Sequence, residues 1–465
     1  MADKRDDFLI RRNISEVDPD INQVIQFEEE RQARRLILIP SESFASLPVR
    51  EALSSVFTNV YAEGYPPPRM TRDDEELLLD FDHQLAYYRR YGDRRFYKGC
   101  DYVHFVETLA RRRCAECFAT AEIGPDKIYA NVQPLSGAAA NNSVYDAMVR
   151  PGDTVMGMNL SHGGHLTHGS EYNRSGKNYR IVSYEVDRRT ELLDYDEIER
   201  LAVEHRPKMI IAGYTSYPWA PDWRRFRQIA DAVPGGSVLL ADIAHPAGMV
   251  IGGVYPNPVG YADVITFTTH KTICGPRGAV ILTTDEEKAR LIDNAVFPGE
   301  QGGPHVNKFA AMAVAFKLAQ REEFKRLQEM IVENAAALAH SLRKRGLRLA
   351  YGGTNTHLLV IDLNAIETQT GFPLKGELAA RILELCGLVT NKNTIPGDQS
   401  AADASGIRLG TPWVTQRGLR PEDMDELAGI IHRVLTSIKP FQYIGLTGDL
   451  PRGKIGFELL EEMKS

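Results

Sequence analysis

The apolar positions in the middle of the chain fall in short β-branched runs separated by amphipathic stretches. Thr154–Met158, Arg180–Tyr184, Lys208–Gly213, Ser237–Asp242 and Val264–Thr268 read as strands, and Ala279–Thr283 as a returning strand. Helical periodicity lies between most of them, as in Thr190–Glu204 and Trp223–Ala232. The alternation predicts an α/β fold: a large domain whose mainly parallel (mixed) sheet is sandwiched by helices. On either side the pattern changes. Ser15–Arg35 predicts a polar amphipathic helix, Leu36–Pro40 is apolar, and residues 47–59 predict a second helix. Asn307–Arg345 predicts one long helix. A smaller α+β region follows, with strands Arg348–Tyr351 and Leu358–Ile361, a polar loop Asn391–Ser405 and a closing helix Glu422–Ser437. The expected divisions are an N-terminal arm, 1–50, a large domain, 51–305, and a linker helix with a small C-terminal domain, 306–465.

Residues 66–96 break this rhythm. Pro66-Pro67-Pro68 interrupts regular structure. Thr71 is placed to cap a helix, with Asp73, Asp74, Glu75 and Glu76 in its first turn. Leu78, Phe81, Leu85 and Tyr88 then make one apolar stripe, Arg89 and Arg90 suit the helix end, and Gly92 terminates it. The segment predicts an amphipathic helix with a partner surface.

Composition narrows the classes. The 465 residues are 43% hydrophobic and 25% charged, enough to bury a large core. A net charge of −7 implies no broad nucleic-acid-binding surface. Arg111-Arg112-Arg113 reads as one solvated helix turn. The first seven residues carry no apolar signal region and no apolar run reaches membrane-spanning length, so a cytoplasmic enzyme is expected. Five cysteines in so long a chain argue against a disulfide framework. Cys114 and Cys117 form a single CxxC on a helical pattern, read as two packed cysteines rather than a metal site.

Polar residues gather at strand ends, where sheets of this kind bind ligands. Tyr214-Thr215-Ser216 and Asp242-Ile243-Ala244-His245 follow two strands, and Thr269-His270-Lys271 follows a third, before the turn Gly275-Pro276-Arg277-Gly278. Desolvation lowers a lysine's pKa and frees its amine, so Lys271 can condense with the aldehyde of pyridoxal phosphate (PLP). Four features converge on that cofactor. Ser136 and Gly137 open a small-residue helix whose free amides can bind phosphate. Gly302 and Gly303 allow close backbone approach. Asp242 can keep a pyridine nitrogen protonated. Lys271 lies 29 residues beyond Asp242, about one strand–helix–strand unit.

The motifs Tyr61-Ala-Glu63-Gly-Tyr65, Met158-Asn-Leu-Ser-His-Gly-Gly-His165-Leu-Thr-His168-Gly, Thr268-Thr-His-Lys271, Gly275-Pro-Arg-Gly278 and Ser405-Gly-Ile-Arg408-Leu-Gly-Thr411-Pro, in this order, resemble serine hydroxymethyltransferase. The likeness runs from about Ser41 to Ser437. It implies the aspartate-aminotransferase-like fold (type I) of PLP enzymes and a homodimer with shared active sites, dimer against tetramer staying open. It implies transfer of serine's hydroxymethyl carbon to tetrahydrofolate, giving glycine and 5,10-methylenetetrahydrofolate. Lys271 would hold PLP, with Thr268 beside it. His165 would stack on the ring, Asp242 would pair with the ring nitrogen, and Thr215 and His245 would lie near the phenolic oxygen. Ser136, Gly137 and His270 would hold the phosphate. Tyr61, Gly302 and Gly303 would come from the neighbouring subunit. Arg408 would grip the substrate carboxylate, helped by Ser41 and Tyr97, and Glu63 would be the acid/base group. Leu160, Gly164, Leu166 and Asn393 would line the folate site.

The chain departs from the family pattern at Ser43, Ala139, Phe267 and Glu300. It also departs at 66–96, which stands where the family has a short turn. The insert and Phe267 keep open a folate-independent PLP aldolase or transaldolase acting on a β-hydroxy amino acid, while Glu63, Leu160, Gly164 and Asn393 favour folate. A catalytically idle structural or RNA-binding relative is opposed by Lys271, Asp242, His165 and Arg408, and by the acidic charge balance.

Overall fold

The structure, a computed structural model, describes residues 8–91, 94–443 and 450–455. Seven strands make the main sheet, in the order Tyr129–Asn131, Ala279–Thr283, Val264–Thr268, Val238–Asp242, Met209–Ala212, Thr154–Met158, Arg180–Tyr184. The last five run parallel, and Ala279–Thr283 is antiparallel to both neighbours. Met209–Ala212, Val264–Thr268 and Ala279–Thr283 are buried at every position, which is why they read as continuous apolar runs. Successive side chains point to opposite faces. Met156, Ile210, Leu239, Ile265 and Val280 enter one core, while Val155, Met209, Leu240, Val264 and Ile281 enter the other. The mixed α/β sheet is the one the alternation predicts.

A second sheet is antiparallel, in the order Leu349–Ala350, Leu358–Asp362, Gly406–Gly410, Asn391–Asn393. Glu322–Lys344, Gly376–Leu385 and Asp423–Ser437 share its core through Leu338, Leu383 and Ile431. The arm's Leu36–Ile37 pairs in parallel with Leu388–Val389, so the arm is tied to this smaller unit.

Several expected boundaries move. Ser15–Arg35 is two helices, Ile14–Val17 and Pro19–Arg34, because Pro19 has no N–H to continue the first. Asp18 caps the second, accepting from Ile21 N at 3.0 Å. Asn307–Arg345 is also two, Val306–Ala319 and Glu322–Lys344; the first packs Phe309, Met312 and Phe316 into the main core. Residues 47–59 are a helix, Leu47–Leu53, then a 3-10 turn, Val56–Asn59. Thr190–Glu204 begins only at Tyr195, where Asp194 accepts from two amides. The expected loop at 391 starts as a strand. The expected solvated turn at Arg111–Arg113 is largely buried and ion-paired, to Asp293, to Glu116 and Asp126, and to Glu75. For Arg111 and Arg113 the deciding carboxylates, Asp293 and Glu75, are far away in sequence.

The 66–96 segment is helical but capped elsewhere. Asp74 caps Glu75–Leu78, accepting from Leu77 N at 2.8 Å, whereas Thr71 lies in a 3-10 turn and donates to Pro68 O. A second helix, Phe81–Tyr91, follows; Gly92, the expected terminator, lies outside the described residues, as does the expected leaderless start at 1–7. Met70, Leu78 and Leu85 pack with Phe105 of the Asp101–Phe118 helix, but Phe81 is half exposed with its ring edge-on to Phe105. Glu75 also bridges to Lys317 at 3.0 Å. The segment is therefore docked at both its apolar and its charged side.

Candidate active site

The Val264–Thr268 strand delivers the chain into a loop closed by its own main chain. Thr269 N donates to Gly278 O (3.1 Å) and Gly275 N to Thr269 O (2.8 Å). Lys271 sits in this loop, and its Nζ donates to Thr268 Oγ1 at 3.1 Å. Burial pushes its amine down to about 8; the Asp242 charge opposes this and the Arg408 and Arg277 charges add to it. Ser43 Oγ donates to Lys271 O at 2.6 Å, so a residue noted only as a departure steadies the reactive loop.

Asp242 ends the neighbouring strand and is buried. Its Oδ2 accepts from Asn141 Nδ2 and from His168 Nε2, each at 2.9 Å, and its Oδ1 accepts from Ala244 N at 3.0 Å. Burial alone would raise its pKa. The His168 hydrogen bond and charge outweigh burial and hold the carboxyl well below the usual carboxylate range. His165 caps a short turn, its Nδ1 accepting from Thr167 N at 3.2 Å. Burial, with His168 next, pushes it down to about 4, so it is a neutral ring beside an ionised Asp242.

Arg408 comes from the smaller sheet and reaches across to the larger. Its Nη1 donates to Thr215 O at 2.7 Å and its Nε to Asn391 Oδ1 at 3.3 Å. It is buried, and it has no carboxylate partner among the described residues. Burial lowers even this guanidinium, to about 10. A buried, unneutralised arginine is costly unless an anion completes it. His245 Nδ1 faces His357 Nε2 at 3.2 Å in the same enclosure.

Ser136 caps the Gly137–Met148 helix, its Oγ accepting from Ala139 N at 3.3 Å and its O from Ala140 N at 2.9 Å. The amides of Gly137 and Ala138 are left without intrahelical acceptors. A Cβ at Gly137 would stand 2.9 Å from Thr268 Cγ2, so the glycine lets the helix start close beside the Lys271 strand. His270 Nδ1 is buried with no hydrogen-bond partner among the described residues. Free amides, a hydroxyl and an orphaned imidazole nitrogen next to a desolvated lysine form a donor set suited to a phosphate monoester bearing an aldehyde. PLP fits these residues.

A second group gathers around Tyr61 and Glu63 and is tied to Gln133, three residues before Ser136, which donates from Nε2 to Gly64 O and accepts at its O from Gln301 Nε2, each at 2.8 Å. Tyr61 Oη donates to Glu63 Oε1 at 3.2 Å, and the rings of Tyr61 and Tyr97 are 4.7 Å apart. A Cβ at Gly303 would stand 2.6 Å from the Tyr61 ring, so the glycine lets that ring lie against the main chain, and one at Gly302 would stand 3.0 Å from Glu63 Oε1. Arg95 holds this loop from below: it donates to Ala62 O (2.7 Å), Gly64 O (3.2 Å) and buried Glu107 (2.5 Å). No hydrogen bond among the described residues joins this group to Lys271, Asp242 or Arg408. Tyr61 is 54% exposed, which leaves its face open to another surface.

Leu160 and Leu166 sit on 3-10 turns on either side of His165. Gly164 packs against the main chain, where a Cβ would lie 2.1 Å from Met158 O. Asn393 lies on the edge strand beside Arg408's strand, and Ser41 follows Pro40, which packs against Gly410. The other departures have local reasons. Phe267 packs its ring, tilted, against Phe118 (4.8 Å) inside the core, Glu300 pairs with Arg174, and Ala139 contributes its amide to Ser136 Oγ and its carbonyl to Ser143 Oγ. Asn141, His168, His357 and Ser43 went unassigned in the sequence. His168 stood inside a recognised motif and Asn141 on the small-residue helix that Ser136 opens, while His357, after Thr354-Asn355-Thr356, carried no signal.

The histidines set a pH dependence. Burial pushes His165 and His270 down to about 4, His357 to about 3 and His245 far down, from an ordinary value near 6.5. Below about 6.5 the unfolded chain takes up protons that the folded chain refuses. Their contribution to stability is thus complete above that pH and is lost as pH falls towards 4. Tm should fall between pH 6.5 and 5, less steeply in His357→Gln; a flat profile would contradict the neutral cluster.

A family model described as serine hydroxymethyltransferase matches residues 14–77 and 83–431. The gap at 78–82 coincides with the break between the two helices of the 66–96 segment.

Proposed function

The chain belongs to the serine hydroxymethyltransferase family, and from that membership we propose which of its residues carry the reaction. The enzyme is PLP-dependent and moves the hydroxymethyl carbon of serine reversibly to tetrahydrofolate, giving glycine and 5,10-methylenetetrahydrofolate. Bound PLP supplies an electron-withdrawing ring that lets the Cα–Cβ bond of serine break. In our reading Lys271 holds the cofactor through its amine, oriented by Thr268. Asp242 presents a fixed negative charge to the ring nitrogen, and His165 lays a neutral ring over the cofactor face. Thr215 and His245 attend the phenolic oxygen. Ser136, Gly137 and His270 bind the phosphate. Arg408 takes the substrate carboxylate in a bidentate fork, with Ser41 and Tyr97. Glu63 moves the proton that one-carbon transfer requires. Leu160, Gly164, Leu166 and Asn393 line the folate site.

The observation that carries this assignment is Arg408, buried and without a carboxylate partner among the described residues, in the same enclosure as a lysine whose amine is lowered by burial. Purified protein with PLP should convert serine to glycine only with tetrahydrofolate, and tetrahydrofolate should strengthen the visible band of the glycine complex. Full glycine formation without folate would contradict the reading.

The exposed face of Tyr61, on a loop with no hydrogen bond to Lys271 among the described residues, supports a homodimer with shared sites. Lys271→Ala and Glu63→Gln should each be nearly inactive alone and regain activity when subunits are mixed and exchanged. No recovery in verified hybrids would contradict sharing. We divide the chain into arm, large and small units, with the last boundary at Gln320–Arg321, since Val306–Ala319 belongs to the main core. Five cysteines with no disulfide among the described residues suit a reducing compartment, and on that ground we place the enzyme in the cytoplasm. None of the described helices is long and apolar enough to cross a membrane.

A further inference from the structure

Lys308 stands on the first turn of the Val306–Ala319 helix and is 3% exposed. A lysine buried so deeply is ordinarily paired with a carboxylate. Here Nζ donates to two main-chain carbonyls, Gln133 O and Pro134 O, each at 2.9 Å, and forms no ion pair among the described residues. Burial pushes its amine down to about 7, with Glu107 opposing. Charged or neutral, the amine keeps the two N–H groups that both bonds need.

The stem of Lys308 is placed as deliberately as its head. A Cβ at Gly278 would stand 2.7 Å from Lys308 Cδ, so the stem fills the notch that this glycine leaves. Gly278 closes the Lys271 loop by accepting from Thr269 N. The carbonyls at the other end stand three and two residues before Ser136, the cap of the phosphate-facing helix. Gln133 O also receives Gln301 Nε2 at 2.8 Å, and Pro134 O receives Ala279 N at 3.1 Å. One side chain thus spans both walls of the cofactor site, touching the lysine loop with its methylenes and the phosphate segment with its nitrogen.

We propose that Lys308 is a positioning residue for the cofactor phosphate, fixing the main chain at Gln133–Pro134 so that the Gly137 and Ala138 amides face a common anion. This rests on the reading of Ser136 and Gly137 as the phosphate site. Neither amide touches Lys308, so its effect passes through the backbone. Its loss weakens recognition of the phosphate rather than of the ring.

The test compares PLP with pyridoxal, which lacks the phosphate, titrated into full-length protein freed of cofactor. Lys308→Met keeps the stem and removes both donors. PLP affinity should fall by about 10- to 100-fold while pyridoxal affinity changes by no more than about threefold. Lys308→Gln, which retains an amide donor, should fall between. Unchanged PLP affinity, or equal losses for both ligands, would overturn the proposal. So would failure of Lys308→Met, Lys308→Gln and Lys308→Arg alike to fold, since Lys308 would then determine the fold and not the segment. If the unaltered protein does not prefer PLP over pyridoxal, the phosphate assignment itself falls, and this inference with it.

Discussion

Replacing Lys271 by alanine is expected to lower turnover by at least about 10³-fold and to remove the absorbance band of the covalent lysine–PLP linkage. The lysine is held by one hydrogen bond to Thr268 Oγ1, and its loop is closed by bonds at Thr269 and Gly275 that the substitution leaves alone. The loss should therefore be chemical rather than structural, with Tm little changed. The Ser136–Gly137 amides and His270 persist, so the variant should still bind PLP, now non-covalently. The pH dependence sharpens the test. Because burial lowers the amine to about 8, capture of the aldehyde by unaltered protein should rise with pH through a midpoint near 8. A midpoint near the ordinary 10.5 would mean that the lysine lies in water.

Arg408→Ala should raise the KM for serine by about 10²- to 10³-fold, the range expected when one partner of a buried, hydrogen-bonded charge pair is removed. PLP affinity should change much less than the KM, because among the described residues the arginine bonds only Thr215 O, on the phenolic-oxygen side, and Asn391, and none of the phosphate-binding residues. Arg408→Lys should not rescue: an ammonium cannot reproduce the planar fork that spans a carboxylate. Some loss of Tm accompanies Arg408→Ala, since Thr215 O loses its donor. A KM within twofold of the unaltered protein would remove Arg408 from the substrate site.

Much of this was readable in the chain because the informative features were local. The strands ending at Asp242 and Thr268 are continuous apolar runs, and a strand end is where a polar residue can reach a ligand. Ser136 caps its helix through contacts within four residues. What escaped was decided by distant partners. Arg111–Arg113 looked solvated because Asp293 and Glu75 are remote in sequence. The hydroxyl of Ser43 finds Lys271 O across 228 residues. His357 enters the site only because the smaller sheet folds its strand against the His245 loop. Lys308 gave no periodic or motif signal, since its partners are carbonyls that any sequence supplies. Pro19 and Asp74, by contrast, were visible and misjudged: the first breaks a helix that its apolar spacing continues, and the second is a better-placed cap than Thr71.

The central claim is that one amine, in the loop after the Val264–Thr268 strand, bonds to the cofactor. Borohydride reduction of the PLP-loaded protein, followed by peptide mapping, tests it directly. The account predicts a single reduced pyridoxyl adduct on Lys271, absent in Lys271→Ala. An adduct on Lys308 or a surface lysine instead, or none at all, would contradict it.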